Sequence, residues 1–190
     1  MPAPRRPRLE EIPALALVLT RSFYDDPLFV YLFPDPVHRR DDLPAYFAWL
    51  LTDGADAGSS VTVLTQDLSS VIVWAPRRAL GTGISPPFRS PDVDIRSRLV
   101  GEQDAPGYAG PPGLFFPYVA VMPGLQGEGR GTALMETLVA NADRLRAPVR
   151  TGTTVPRSVA FLERFGFEVT REIERTAAGP HRWQLTRPSS

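Results

Sequence analysis

Hydrophobic positions along the chain recur with two periods, one near 3.6 residues and one of two, and their order predicts the elements. Leu9 to Phe23 reads as a helix: Ile12, Leu15, Ala16, Leu19 and Phe23 share one face, and Pro13 is tolerated in the first turn. Asp41 to Leu51 reads as a second helix, with Leu43, Tyr46, Phe47 and Leu50 on one side. After a turn at Asp53 to Ser59, Ser60–Thr65 and Ser70–Ala75 form a predicted hairpin joined through Gln66-Asp67-Leu68. Phe115 to Val121 is apolar throughout, save Pro117 and the polar tip of Tyr118, and reads as a strand that stops at Met122-Pro123-Gly124. Leu134, Leu138 and Leu145, flanked by Met135, Val139 and Ala142, return to helical spacing. Pro148–Thr154 is a further strand, and Pro156–Phe165 a short helix stopped by Gly166, with Phe167 packing back. Phe167, Val169 and Ile173 then alternate with Glu168, Thr170 and Glu172. Ala178-Gly179-Pro180 turns the chain into a last antiparallel strand around Trp183 and Leu185.

Two stretches resist either period. Residues 1–8 are rich in proline and arginine and are expected to be loose, with any leading strand confined to Arg5–Arg8. Residues 76–113 carry Pro86-Pro87, Pro106-Gly107 and Gly110-Pro111-Pro112-Gly113, with a short helix expected at Ile95–Gln103. A stretch of that length is either a lid over a site or a surface loop.

The stretch between the Phe115–Val121 strand and the next helix carries the most chemistry. Gln126-Gly127-Glu128-Gly129-Arg130-Gly131 places three glycines in five residues. Glycine lets the backbone approach a ligand closely and adopt positive φ. The helix that follows aims its unpaired N–H groups at the turn, which makes an anion site suited to a phosphate or pyrophosphate. No lysine follows the last glycine, and the G-x-G-x-G order is not the dinucleotide fingerprint, so an ATP- or dinucleotide-binding domain is disfavoured.

With Val121 and Pro123 before it, this hexamer resembles the acyl-CoA loop, Q/R-x-x-G-x-G/A, of the GCN5-related N-acetyltransferase (GNAT) superfamily. Val159 to Val169, reading V-A-F-L-E-R-F-G-F-E-V, is similar to that superfamily's second signature. Phe23 to Pro27 and Leu32 to Asp35, followed by Arg39, resemble the opening of a bacterial subgroup, in which the segment between the first two helices lines the acceptor pocket. The order of elements over residues 9–187 matches the superfamily. The resemblance implies an α/β (α+β) fold: a mixed, mostly antiparallel sheet of about six to seven strands, helices on both faces, and a V-shaped splay for acyl-CoA. It implies one acyltransferase domain over residues 9–190 after the loose segment 1–8. It also implies acetyl-CoA as co-substrate, held by Val119, Ala120 and Val121 beside the pantetheine. Gln126, Gly127, Glu128, Gly129, Arg130, Gly131 and Thr132 would lie at the pyrophosphate, with Ser158 and Phe161 nearby. Phe23, Tyr24, Phe29 and Phe33 fall to the acceptor, or else to the core beneath a turn-rich linker. Dimers are common in the superfamily.

Composition narrows the setting. The 190 residues carry 21 basic and 21 acidic side chains, a balance that argues against a dedicated nucleic-acid or membrane-surface binder. All 21 basic residues are arginine, which with abundant Ala, Pro and Gly points to a GC-rich bacterial genome. Cysteine is absent, so disulfides, thiolate catalysis and thiolate metal sites are excluded. No apolar run approaches a membrane span, and the N-terminus lacks a signal-peptide core, so a cytoplasmic protein is expected. Two isolated histidines, His38 and His181, suggest no metal.

Acyl transfer from a thioester to an amine needs alignment, a polarised carbonyl and a route for protons. Here the sequence departs from the superfamily. Leu162 stands where a tyrosine usually protonates the leaving thiolate, Ser158 where an asparagine is usual, and Phe115 and Phe116 near the place of a strand carboxylate. Tyr118, on the central strand, and Asp26, in the acceptor segment, are the substitute catalytic candidates; packing for the first and a turn or cap for the second are the competing readings. The expected function is direct transfer of acetyl to a small-molecule amine in a ternary complex. The alternative is a non-catalytic relative that binds acyl-CoA or a small molecule.

Overall fold

In a computed structural model, residues 5, 7–52, 61–64, 67–76 and 91–189 are described. A turn of 3₁₀ helix at Leu9–Glu11 leads into α1 (Ile12–Phe23), followed by α2 (Pro27–Leu32) and α3 (Pro36–Thr52). Then come β1 (Val61–Leu64), β2 (Ser70–Pro76) and α4 (Pro91–Asp104), which runs on into a 3₁₀ turn at Ala105–Tyr108. β3 (Leu114–Val121), α5 (Arg130–Leu145), β4 (Val149–Thr153), α6 (Pro156–Glu163), β5 (Glu168–Ile173) and β6 (Arg182–Arg187) complete the order. Among the described residues the strands form one mixed sheet in the order β1-β2-β3-β4-β6-β5. Only the β3–β4 pair is parallel, joined by the α5 crossover, as parallel neighbours require.

Several expectations shift. Phe29 to Leu32 belongs to a helix rather than a turn-rich linker, because Asp26 caps it and Pro27 begins it: the Leu28 N–H donates to the Asp26 carboxylate at 2.9 Å. The second long helix starts at Pro36 instead of Asp41; Asp35 accepts from the Val37 N–H at 2.7 Å and holds that earlier start. Pro44 sits inside it. The helix expected at Ile95–Gln103 extends over Pro91–Asp104, with Pro91 and two acidic residues in its first turn. The expected turn at 53–59 and the residues 77–90 of the irregular stretch lie outside the described residues, as does part of the 60–66 hairpin region.

Side chains of the sheet divide between two cores. Val71, Val73 and Ala120 pack with α1, α2 and α3, around Leu15, Leu19, Phe29, Leu43 and Phe47. Ile72, Trp74, Leu114 and Phe116 pack on the other face with Leu134, Met135 and Leu138 of α5 and Leu162 of α6. The alternation within β2 is the period-two rule of a strand buried on both faces.

Two irregularities of β3 position everything that follows. Between Val73–Tyr118 and Ala75–Phe115, β3 spends one residue more than β2, which makes a bulge at Phe116-Pro117. A proline without an N–H is tolerated at such a point. On its other edge, β3 pairs with β4 only at Leu114–Val149 and Phe115–Arg150. Beyond a last link, from the Thr151 hydroxyl to the Phe116 carbonyl at 2.7 Å, the two strands separate.

Candidate active site

The first part of the site is built from backbone. Gly124, Gly127 and Gly129 have φ of 92°, 86° and 80°, a region in which other residues are strained. Gly129 caps α5, and the first backbone bond of the helix runs from Ala133 N–H to the Gly129 carbonyl at 3.0 Å. The N–H groups of Arg130, Gly131 and Thr132 therefore form the open first turn. Gly131 faces Phe161 and Val121: a β-carbon there would make ordinary contact with both, at 3.6 and 3.7 Å. Loop, strand end and α6 thus converge, and Ser158 lies in the first turn of that helix. Val119 packs against the α5 core and Ala120 is buried in the other. The Val121 carbonyl already accepts from the Ser22 hydroxyl at 3.1 Å.

Arg130 is less available than its position suggests. Its guanidinium donates to Asp67 at 2.6 Å, to the Ser69 hydroxyl at 2.5 Å and to Glu128 at 3.1 Å. One cation between two carboxylates ties the start of α5 to the turn before β2 and leaves no surplus positive charge.

The second part is a cavity of about 210 Å³ where β3 and β4 part. Phe115, Pro117 and Tyr118 line it from β3, with Pro117 and Tyr118 turned to the same side by the bulge. Gly152, Thr153 and Thr154 line it from the end of β4, and Phe23, Asp26 and Phe29 from the α1–α2 junction. Asp26 caps α2 and also accepts from the Thr154 hydroxyl, 3.0 Å from each carboxylate oxygen. Burial raises its pKa, against the lowering effect of these hydrogen bonds. A carboxylate in a cavity whose pKa is raised by burial is a fit proton acceptor.

Tyr118 has two roles at once. Its ring packs among Phe23, Phe29 and Phe47, with centroids 5.4, 6.0 and 5.4 Å away. Its hydroxyl lies 2.7 Å from that of Tyr46, and either can donate. Burial, with the neighbouring Tyr46 and Asp26, pushes its pKa well above that of an ordinary tyrosine. Such a group donates a hydrogen bond but not readily a proton.

Of the four aromatics expected at the acceptor, Phe23 and Phe29 line the cavity. Phe33 is buried in the core beneath it, and Tyr24 lies under the Arg39 guanidinium, 4.7 Å from its centre, with its hydroxyl on the Pro36 carbonyl. Leu162 is buried in the α5–α6 core. His38 is exposed beside Asp35, and His181 pairs with Glu172 at 2.7 Å while stacking on Trp183.

The opposite wall was missed by sequence reasoning. Tyr108 packs edge-on against Phe115 with centroids 4.8 Å apart. Its hydroxyl fills the notch at Gly152, where a β-carbon would stand 2.5 Å from it. Burial and the nearby Asp104 raise its pKa. Asp104 bonds Arg182 at 2.7 Å, and its carbonyl accepts from Gln184 at 2.9 Å. Nothing in the sequence marks Asp104 and Arg182 as partners, since 78 residues separate them.

This architecture is the GNAT fold. Solved structures that share it include a histone acetyltransferase HPA2 and related acetyltransferase from Corynebacterium glutamicum, at 20% identity and a TM-score of 0.69 over 100% of this chain and 98% of that one. A mosquito arylalkylamine N-acetyltransferase-like protein matches at 15% identity and 0.65, over 97% and 98% of the two chains. The polyamine N-acetyltransferase of Drosophila melanogaster matches at 18% identity and 0.61, over 97% of each chain. No protein-family model matches the sequence.

Proposed function

We propose that this chain is an acetyl-CoA-dependent N-acetyltransferase that acts on a small-molecule amine by direct attack in a ternary complex, within one domain over residues 9–190. The reading rests on one observation: a turn of positive-φ glycines before the open first turn of α5, and a carboxylate-bearing cavity, adjoin the same strand, β3. The N–H groups from Gln126 to Thr132 receive the pyrophosphate, and the open edge of β3 at Val119, Ala120 and Val121 receives the pantetheine. Acetyl-CoA supplies an activated thioester, so the protein has mainly to align and deprotonate. Asp26 accepts a proton from the acceptor's ammonium. The free amine then forms the C–N bond as the C–S bond breaks, and the second proton of the attacking nitrogen passes to the departing thiolate, which leaves the amide and the CoA thiol. Tyr118 holds the cavity wall, with its hydroxyl on that of Tyr46. Arylalkylamine and polyamine acetyltransferases among proteins of the same fold are consistent with a small amine acceptor.

A second reading, a non-catalytic binder of acyl-CoA, draws on the buried Leu162 at the usual tyrosine position and on a β3 without a carboxylate. Calorimetry with acetyl-CoA and CoA, beside a thiol-release assay over a panel of amines, separates the two. Binding with amine-dependent thiol release establishes the enzyme. Binding without release on any amine favours the second reading, and no binding overturns both.

A further inference from the structure

Three charged side chains line the cavity: Asp26, Asp104 and Arg182. Two of them cancel. Arg182 donates from Nε to Asp104 at 2.7 Å, from Nη2 to Gln103 at 2.8 Å and from Nη1 to the Pro180 carbonyl at 3.1 Å. Its side chain is only 5% exposed, so it has no free nitrogen to offer a ligand. Asp26 is different. Its partners, the Leu28 N–H and the Thr154 hydroxyl, are neutral, and among the described residues no cation pairs with it. The cavity therefore carries one uncompensated negative charge and no available positive one.

From this balance we infer that the acceptor is a primary amine with no anionic group of its own, carried on an aromatic or short alkyl body, whose ammonium pairs with Asp26. The inference rests on the acetyltransferase reading and narrows it. A buried carboxylate with only neutral donors gains from an incoming cation. Phe23, Phe29 and Tyr118 line the same space and make it suited to an apolar body. The volume, about 210 Å³, accommodates a single ring with a short tail. An α-amino acid would carry its carboxylate into the same space, beside Asp26, with Arg182 already committed to Asp104. Discrimination comes from that repulsion as much as from the attraction of the amine.

The test is a matched pair sharing one ring: phenethylamine and phenylalanine, titrated into the full chain by calorimetry, then into Asp26→Asn. Asparagine is as good a helix cap as aspartate, so α2 is retained. The expected result is phenethylamine binding at least about 30-fold tighter than phenylalanine, with the preference falling to within about threefold in Asp26→Asn. Equal binding, tighter phenylalanine binding, no binding of either, or a preference that survives in Asp26→Asn would each overturn the inference. Failure of the acetyltransferase reading shows elsewhere, in acetyl-CoA binding and thiol release. Thiol release that is as fast with phenylalanine as with phenethylamine would overturn the substrate class and leave the enzyme standing.

Discussion

The loop at the start of α5 and the cavity beside Asp26 adjoin one strand but are made of different material. The loop is backbone: positive-φ glycines and the open first turn of a helix, with its one cation neutralised by Asp67 and Glu128. The cavity is side chains, brought from the α1–α2 junction, the segment after α4, β3, the end of β4 and β6. A site of backbone tolerates most side-chain changes but not a changed φ. A site of side chains is sensitive residue by residue.

That contrast can be broken at several points. Gly129→Glu should do most: φ of 80° strains any replacement, and the carboxylate faces the anion site. We expect acetyl-CoA affinity to fall on the order of 100-fold or more by calorimetry, with the fold intact by circular dichroism. Asp26→Asn should lower kcat/KM for amines about 100-fold while acetyl-CoA affinity stays within about twofold. A comparable loss of acetyl-CoA affinity would mean that the two ends are not separable. Thr154→Val removes hydrogen bonds that hold the Asp26 pKa down, so that pKa rises further. The rising limb of the pH–rate profile should move to higher pH, with a loss of less than about tenfold that recovers at alkaline pH. Arg130→Gln should weaken acetyl-CoA binding by less than about tenfold, because the N–H groups remain. A 100-fold loss would show that the guanidinium itself carries the phosphate.

The smallest effect lies away from both ends. The Arg5 guanidinium and the Arg8 N–H hold Glu11 down to about 2, from an ordinary 4.5. A lowered carboxylate stabilises the fold above its unfolded value, and that contribution is lost as pH falls from about 4.5 through about 2. Glu11→Gln should flatten the dependence of Tm on pH in that window and leave both binding functions unchanged.

The same contrast explains what was legible in the sequence. The glycine spacing, the strand before it and the leucine repeat after it are local, so β3, the loop and α5 were read nearly to the residue. The fold class followed, because alternating and helical periods are local too. The cavity was legible only in part. Asp26 was visible as a cap or a base, but its link to Thr154, 128 residues away, was not. Tyr108 could not be foreseen at the site, since what makes room for it is the missing side chain of Gly152, 44 residues on in β4. The resemblance of its hexamer implies a place at the pyrophosphate for Arg130. Asp67, its neighbour in space, comes from the turn before β2.

The early parting of β3 from β4 leaves an inner edge whose residues beyond Phe115 have no β4 ladder partner, though the Phe116 and Val121 carbonyls take side-chain hydroxyls. An outer edge invites association, whereas this one is sheltered on both sides by the same chain. Its amides lack a ladder partner, so they should exchange with deuterium faster than those of β3 that face β2. Whatever occupies the gap completes the sheet as a wedge does and slows that exchange. Slower exchange at that edge on adding acetyl-CoA, with the β2-facing amides unchanged, is the expected outcome.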